Sequence, residues 1–254
     1  MALPASDLPF CGDGELGYDA RRTTFVDGAG LSLDEAYRLA HLPLVAPRHP
    51  GVIARKAGTP YEFGRHEPVV SLVLPVPADL LHGADAYRAL EADLKAAPFA
   101  HKIAWDIVER RRDKLHATLC GSLASGQKLP ATGVDRRAAL ARLGGISVEL
   151  RGLFSGTINR GRLYLRVYPE RRDGIDVLRQ VQRLMGCRET GFYVVGLFNL
   201  VDDLDPREAA ALAHLIDVWW NRPILRYRSD GLWLLSARDD LVLDADILEL
   251  IPLT

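Results

Sequence analysis

The sequence has few cysteines, no excess of charge of either sign and no long apolar run. Its 254 residues include three cysteines, whose odd number and wide spacing fit neither a disulfide framework nor a zinc site. The formal net charge of −1 argues against a long nucleic-acid duplex as the main partner, because such binding usually needs a strong basic excess. A small anionic ligand remains compatible with this charge, since local charge decides that kind of binding.

Membrane and export signals are also missing. No apolar stretch approaches the length of a membrane span, and the first fifteen residues lack a basic region followed by an apolar one. We therefore predict a cytoplasmic protein in a reducing compartment, with no membrane partner. About half of the residues are apolar (48%) and a quarter are charged (26%), which is typical of a globular chain with a sizeable core.

Composition divides the chain into two parts. Residues 1–66 are rich in glycine, proline and aspartate, and we predict an N-terminal extension or lid that contains one helix. That helix is expected to begin at the capping box Ser32–Glu35 and to end near His41, before a proline. Residues 67–254 are expected to form the main domain, because strand and helix patterns follow one another there without a break.

Strands and helices alternate irregularly in the main domain. We predict strands at 69–76, 114–120, 146–156, 161–169, 192–200, 224–228, 232–236 and 247–253, and helices at 84–96, 135–143, 174–186 and 205–220. Asp230-Gly231 between two strands predicts a hairpin. Mixed elements with hairpins favour an α+β fold with antiparallel sheets.

The segment KLHATLCGSL, at 114–123, contains the clearest chemical pattern. Side chains alternate between the two faces of a strand, so Leu115, Ala117 and Leu119 point into a core. His116 and Thr118 then point together toward solvent or a cleft, where an imidazole beside a hydroxyl is a plausible reactive pair. A lone strand histidine is also often structural, and both interpretations stay open at this point.

From about residue 68 onward, the HATL motif and the order of strands and helices resemble the two-histidine (2H) phosphoesterase superfamily. The resemblance implies a bilobal fold of two pseudo-symmetric antiparallel sheets, with helices outside and a central cleft. Each lobe of that family presents one His-x-Thr/Ser strand, and His116 and Thr118 match the first motif. The second motif should fall on FYVVGLFNL, where Tyr193 and Val195 take the places of the histidine and the hydroxyl, with Phe192 as an alternative to Tyr193.

The resemblance implies a metal-independent phosphodiesterase that needs no cofactor and acts on cyclic or 2′-linked phosphates of nucleotides or RNA ends. His116 would be acid or base, Thr118 a phosphate contact and Tyr193 a divergent partner, although tyrosine is a poor base near neutral pH. The alternative is a catalytically degenerate relative that binds a nucleotide or another small anion without hydrolysis. A third possibility is a different site built by the N-terminal segment. Whether the chain forms oligomers stays open.

Further polar residues are candidate substrate contacts. Arg162, Tyr164 and Arg166 alternate with apolar residues on one strand, where guanidinium groups suit phosphate and tyrosine rings suit a base. The competing interpretation is a solvated outer face of a half-buried sheet. Ser122 is a candidate if its strand continues past Gly121, and Asn199, at the end of the second motif strand, is a fifth.

A missing second imidazole has candidates outside the motifs. His101 is favoured because it precedes the first motif, and His66 or His49 would serve if the N-terminal segment folds over the cleft. No spacing of histidines, cysteines or acidic residues matches a metal-binding motif, so no metal site is predicted. The GxGxxG match at 12–17 has no preceding strand and is interpreted as a turn-rich loop.

Overall fold

The computed structural model describes residues 10–126 and 133–253, and these form a mixed α+β fold. The α-helices are α1 (Asp13–Leu16), α2 (Glu35–Ala40), α3 (Leu42–Val45), α4 (Ala78–Gly83), α5 (Asp85–Ala96), α6 (Trp105–Arg110), α7 (Val134–Leu143), α8 (Val177–Met185) and α9 (Pro206–Trp219). The strands are β1 (Arg65–Pro75), β2 (His116–Ser125), β3 (Ile146–Ser155), β4 (Arg162–Pro169), β5 (Arg171–Arg172), β6 (Ile175–Asp176), β7 (Val194–Asn199), β8 (Pro223–Ser229), β9 (Gly231–Asp239) and β10 (Ala245–Pro252). The predicted α+β class is confirmed.

Eight of these strands form one antiparallel sheet in the order β10-β9-β1-β2-β7-β4-β3-β8, and β5 pairs with β6 in a small second sheet. Strands β8 and β9 are separated by the single residue Asp230, yet β8 lies at one edge of the large sheet and β9 lies beside the other edge. The predicted hairpin at Asp230-Gly231 is therefore wrong. Because one residue spans this connection, the sheet must curl until its two ends approach each other. A hydrogen bond from the Tyr227 hydroxyl on β8 to the Pro75 carbonyl on β1 (2.9 Å) lies near this closure.

The large sheet consists of two groups of four strands. The first group is β10-β9-β1-β2 and the second is β7-β4-β3-β8, and within each group neighbouring strands pair over several residues. Between the groups, β2 and β7 pair only through Ala117 and Val195. The two groups can therefore diverge on either side of this narrow seam, which leaves room for a cleft.

Several helices pack against the large sheet and share one core with it. Helix α8 packs against β2, α6 against β7, α9 against β3 and α5 against β8. The ends of α8 are set by its sequence. Asp176 caps the start by accepting the amides of Leu178 and Arg179, and Gly186 ends the helix with φ of 70°. Among the described residues, no helix combines the length and apolarity that a membrane span needs.

The N-terminal segment packs onto the main domain through buried apolar residues, among them Leu16, Tyr18, Leu33 and Tyr37. It contains α1, α2 and α3 rather than the one predicted helix. Its longest helix begins later than predicted, because Asp34 and not Ser32 caps it by accepting the Tyr37 amide (3.0 Å). The same carboxylate accepts the Asn159 amide (2.9 Å), which ties α2 to the turn between β3 and β4.

Candidate functional site

Two adjoining cavities, of about 380 and 260 Å³, lie beside the β2–β7 seam. Both are lined by His116, Thr118, Arg162 and Asp240. The larger one extends toward the N-terminal segment and the smaller one extends along β7. The larger cavity is also lined by His41, Pro60, Tyr61, His66, Val69, Ser71, Gly121, Ser122, Asn159, Leu235, Ala237, Asp239 and Val242, and the smaller one by Tyr164, Phe192, Val194 and Gly196.

The seam decides which side chains reach the cavities. Ala117 and Val195 pair there and are fully buried, so their side chains point into the core. Their neighbours along each strand must then point the other way. On β2 these neighbours are His116 and Thr118, as predicted, and on β7 they are Val194 and Gly196.

Tyr193 lies on the core side of the sheet. Its side chain is fully buried, and its hydroxyl contacts Asp176 Oδ2 (3.1 Å) and Gln182 Oε1 (3.3 Å) beneath α8. Burial raises the pKa of this phenol, and the neighbouring Asp176 carboxylate raises it further. The expectation that Tyr193 faces His116 across the cleft is therefore wrong, because Tyr193 shares the inward parity of Val195. Phe192, the alternative, does line the smaller cavity.

Arg162 from β4 fills the space that a side chain at Gly196 would occupy. A Cβ atom added to Gly196 would overlap the Arg162 guanidinium. Arg162 Nη1 donates to the Asp240 carbonyl (2.9 Å), whereas its Nε is buried and has no hydrogen-bond partner among the described residues. The space above Gly196, on the cavity side of β7, is thus occupied by a guanidinium from the neighbouring strand β4.

Arg111 adds a buried guanidinium behind the same point, although it lines neither cavity. It follows α6, is 2% exposed and donates from Nη2 to the Gly196 carbonyl (3.0 Å). Its Nε and Nη1 have no partner among the described residues. Burial lowers the pKa of Arg111, and the nearby charge of Arg162 lowers it further. Neither arginine lies within ion-pair distance of a carboxylate in the described part of the chain.

His116 is held in one tautomer. Its Nδ1 lies 2.7 Å from the Lys114 carbonyl, which can only accept, so Nδ1 carries the proton. Nε2 is then the ring nitrogen with a free lone pair. Burial lowers the pKa of His116 to about 4, and the charges of Arg111 and Arg162 act in the same direction. The imidazole is accordingly neutral near pH 7 and able to accept a proton.

Asp240 is the polar centre of the opposite wall. Its carboxylate accepts the Tyr61 hydroxyl (2.9 Å) and lies 3.4 Å from His66 Nε2 and 3.9 Å from His41 Nε2. Burial opposes ionisation of Asp240, yet the contacts with His66 and Tyr61 outweigh it and lower the pKa to about 2. The carboxylate is therefore charged near neutral pH. It raises the pKa of His66 above its ordinary value, although burial of that imidazole opposes the shift.

The neighbouring residue Asp239 fixes this wall. It is 1% exposed and accepts the backbone amides of Leu241 (2.8 Å), Leu243 (3.1 Å) and Asp244 (2.8 Å). The turn between β9 and β10 is thereby closed on the Asp239 side chain, an arrangement typical of aspartate in turns. Asp240 follows directly and is aimed into the cavity.

His41 and His66 both come from the part of the chain before residue 67. His41 lies between α2 and α3, is fully buried and stacks on Tyr37 with ring centroids 5.1 Å apart. Neither of its ring nitrogens has a hydrogen-bond partner among the described residues. Burial lowers its pKa to about 3, and the charge of Arg162 contributes. His66 was foreseen as a residue that could reach the cleft, and it does line the larger cavity.

Of the other predicted substrate contacts, Ser122 and Tyr164 line the cavities and Arg166 does not. Ser122 lines the larger cavity, because β2 continues past Gly121 through a bulge in which the pairing with β1 shifts register. Tyr164 lines the smaller cavity. Arg166 does not line either: it is fully buried, contacts Asp13 (3.2 Å) and lies over the Trp220 ring. The prediction that Arg166 contacts substrate is therefore wrong in its placement, and so is the competing solvated face, since the N-terminal segment covers that end of β4.

Asn199 is also outside both cavities. It is 1% exposed, and its amide nitrogen contacts the Tyr37 hydroxyl (3.3 Å). The remaining outside histidines stay away from the site as well. His49 contacts Asp202 (3.0 Å), and His101 is exposed and lies 3.7 Å from Glu208. The expectation that His101 supplies the second imidazole is wrong in its placement.

Several residues of the site were not anticipated. Asp240, Tyr61 and Arg111 had no local motif, because each reaches the site through a contact distant in sequence. The Asp239-Asp240 pair at the end of an alternating strand was the one available signal, since paired acidic residues often close a turn. His41 stands where the predicted helix ends, and no sequence motif there marks it as part of the site.

The donor set favours proton transfer and anion binding. Within 10–126 and 133–253, no group of three or more histidine, cysteine or acidic side chains is arranged to hold a metal ion.

A comparison with models of known protein families found no match, and neither did a comparison with the sequences of curated proteins.

Proposed function

We propose that this protein is a metal-independent phosphodiesterase-like protein that acts on cyclic or 2′-linked phosphates of nucleotides or RNA ends. One observation carries the proposal. Arg162, which is half-buried and lines both cavities, and the buried Arg111 behind it on the Gly196 carbonyl form no ion pair with a carboxylate in the described part of the chain, and they lie next to His116 and Thr118.

A buried charge without a counter-ion costs several kcal/mol, so a fold keeps such a group as Arg111 beside a second guanidinium only for a compensating reason. Both guanidiniums retain N–H groups without partners in the described part of the chain. A phosphate in the cavities would accept from Arg162 directly, and its charge would also offset that of Arg111 behind Gly196; arginine binds phosphate oxygens well in this way. The nearby carboxylate of Asp240 is already engaged by Tyr61 and His66.

Within this proposal His116 is the general base. Its neutral state, with Nε2 free to accept a proton, suits removal of a proton from an attacking water. The Thr118 and Ser122 hydroxyls would contact non-bridging phosphate oxygens. Tyr164, Phe192 and Tyr61 offer ring faces on which a nucleobase could stack. The proposal calls for no metal, since imidazoles carry the proton transfers.

We also propose that the two four-strand groups correspond to the two lobes of a 2H phosphoesterase. The narrow β2–β7 seam supports this proposal, because it divides the sheet into equal halves with the cavities between them. His116 and Thr118 lie on the first half, as the first motif requires. The second half carries Val194 and Gly196 at the matching places beside the seam.

The experiment is a hydrolysis assay on 2′,3′-cyclic AMP and on a short RNA that ends in a 2′,3′-cyclic phosphate, with a chelator present. We expect turnover by the wild type and a loss of about a hundredfold or more in His116→Ala, the usual range for removing a general base. His101→Ala is the matched control, since this exposed imidazole lies outside the cavities. Turnover that is equal in all three proteins would reject the role of His116.

A second candidate function is binding without hydrolysis. It is favoured by Val194 and Gly196, which bring neither an imidazole nor a hydroxyl to the cleft side of β7. Isothermal titration with 2′-AMP and 3′-AMP separates the two functions. Tight binding together with no measurable turnover of any cyclic phosphate would establish the binder and remove the hydrolase.

A further inference from the structure

The proposed hydrolysis lacks one component on β7. Opening a cyclic phosphate requires a base for the attacking water and an acid for the departing sugar oxygen. His116 supplies the base, whereas Val194 and Gly196 supply nothing and Tyr193 points away from the cavities. An acid must therefore come from another wall.

His66 is the imidazole in the larger cavity, among the described residues, whose contacts fix it as a cation. Its Nδ1 lies 2.7 Å from the Glu67 carbonyl, and its Nε2 faces the Asp240 carboxylate at 3.4 Å. Both neighbours only accept, so both ring nitrogens carry protons. The side chain is 7% exposed, and its ring meets Tyr61 edge to face with centroids 5.5 Å apart.

The two imidazoles are thus prepared for opposite tasks. His116 has one nitrogen free to accept a proton, and His66 has a proton on each nitrogen. The 3.4 Å separation from Asp240 is long for a hydrogen bond, so the Nε2–H group retains the capacity to donate to a ligand in the cavity. The pKa shifts agree, since contact with Asp240 raises the pKa of His66 and burial lowers that of His116.

We propose that His66, oriented by Asp240, is the general acid of the reaction in which His116 is the base. This inference rests on the proposed function. Water attacks phosphorus while His116 Nε2 takes its proton, and a new P–O bond forms. The ring P–O bond breaks, and the departing sugar oxygen takes the proton from His66 Nε2. One water is consumed, a phosphate monoester is released, and solvent returns the proton from His116 to His66.

The position of His66 follows from an irregularity in β1. Val69 and Ser71 line the cavity in regular alternation, and His66 would by that count face the other side. A register shift between Arg65 and Val69 in the pairing with β9 breaks the alternation. His66 is thereby placed on the cavity side, against Asp240.

Its protonation depends on groups from three elements. Asp240 and Asp239 face it from the β9–β10 turn, and Tyr61 faces it from the preceding loop. His41, from between α2 and α3, contacts the same Asp240 carboxylate. The two carboxylates favour the charged form of His66, and partial burial opposes it.

The test uses His66→Gln with two substrates that differ only in their need for an acid. A 2′,3′-cyclic nucleotide releases a sugar oxygen that must be protonated, whereas a 4-nitrophenyl phosphodiester of the same nucleoside releases a stable phenolate. We expect His66→Gln to lose about a hundredfold or more in kcat on the cyclic substrate and less than about tenfold on the nitrophenyl ester. His116→Ala should lose both activities.

The pH profile gives a second readout. The wild-type rate on the cyclic substrate should fall at high pH as His66 loses its proton, and His66→Gln should lack that fall. Asp240→Asn should move it to lower pH, since the carboxylate stabilises the cation. Equal losses on both substrates, or an unchanged pH profile, would overturn the role of His66 and leave the proposed hydrolase standing. No turnover of either substrate by the wild type would overturn the proposed function and this role together.

Discussion

Mild acid should destabilise the protein through His41, which is buried and neutral in the folded state. Its ring is fully buried and neither nitrogen has a hydrogen-bond partner among the described residues. Burial lowers its pKa from the ordinary 6.5 to about 3. Once the chain unfolds, the imidazole returns to its ordinary pKa and takes up a proton.

The sign and size of the effect follow from linkage. Between the folded and unfolded pKa values the unfolded state binds more protons, so the free energy of unfolding falls as the pH falls below 6.5. Each pKa unit is worth about 1.4 kcal/mol, and about 1.5 units separate pH 6.5 from pH 5. The contribution of His41 over that range is therefore about 2 kcal/mol of lost stability. Most carboxylates do not yet titrate there.

The assay is urea denaturation of the wild type and of His41→Leu at several values from about pH 7.5 to about pH 5. Other groups titrate in both proteins, so the difference between the two curves isolates His41. We expect the wild type to lose about 2 kcal/mol more than the variant across this range. Leu42→Ala, a neighbouring buried change without a titratable group, should give a curve parallel to that of the wild type. Parallel curves for the wild type and His41→Leu would refute the reasoning.

Three further outcomes are expected. Gly196→Ala should displace the Arg162 guanidinium and weaken 3′-AMP binding about tenfold in calorimetry, because one charge-assisted hydrogen bond is lost. Gly83→Ala is the control, since Gly83 has open space around it and its substitution should leave binding unchanged. Arg111→Leu should weaken the same binding about tenfold. It should change the free energy of unfolding by less than about 2 kcal/mol, because it removes a costly buried charge together with one hydrogen bond. A large loss of stability with normal binding would contradict this expectation. Tyr193→Phe should lose about 1 kcal/mol in urea denaturation and keep full turnover, and a turnover defect would return this residue to the site.

The first motif was predictable because its strand is amphipathic. Leu115, Ala117 and Leu119 fix the inward face, so His116 and Thr118 had to face outward. The strand at 192–200 has apolar residues on both faces, so periodicity could not show which set faces the cleft. The pairing of Ala117 with Val195 decides this, and it is a contact between residues far apart in the chain.

The opposite wall was beyond local reasoning for a different reason. Asp240 meets His66 and Tyr61 because β9 pairs antiparallel with β1, which sets Asp239 opposite Arg65 and the β9–β10 turn beside the start of β1. The Asp230-Gly231 turn misled in the same way, since its residues suit a hairpin while the chain passes between opposite ends of the sheet. The eight long strands were each foreseen as strands, whereas their order in the sheet depends on contacts that no short window contains.

The guanidinium over Gly196 limits substitution at that position. A histidine side chain at position 196 would overlap the Arg162 guanidinium and break its hydrogen bond to the Asp240 carbonyl. A histidine at this place would therefore require a second change at Arg162, and either change alone would disturb the pocket. Position 196 is closed to larger side chains for as long as Arg162 keeps its present place.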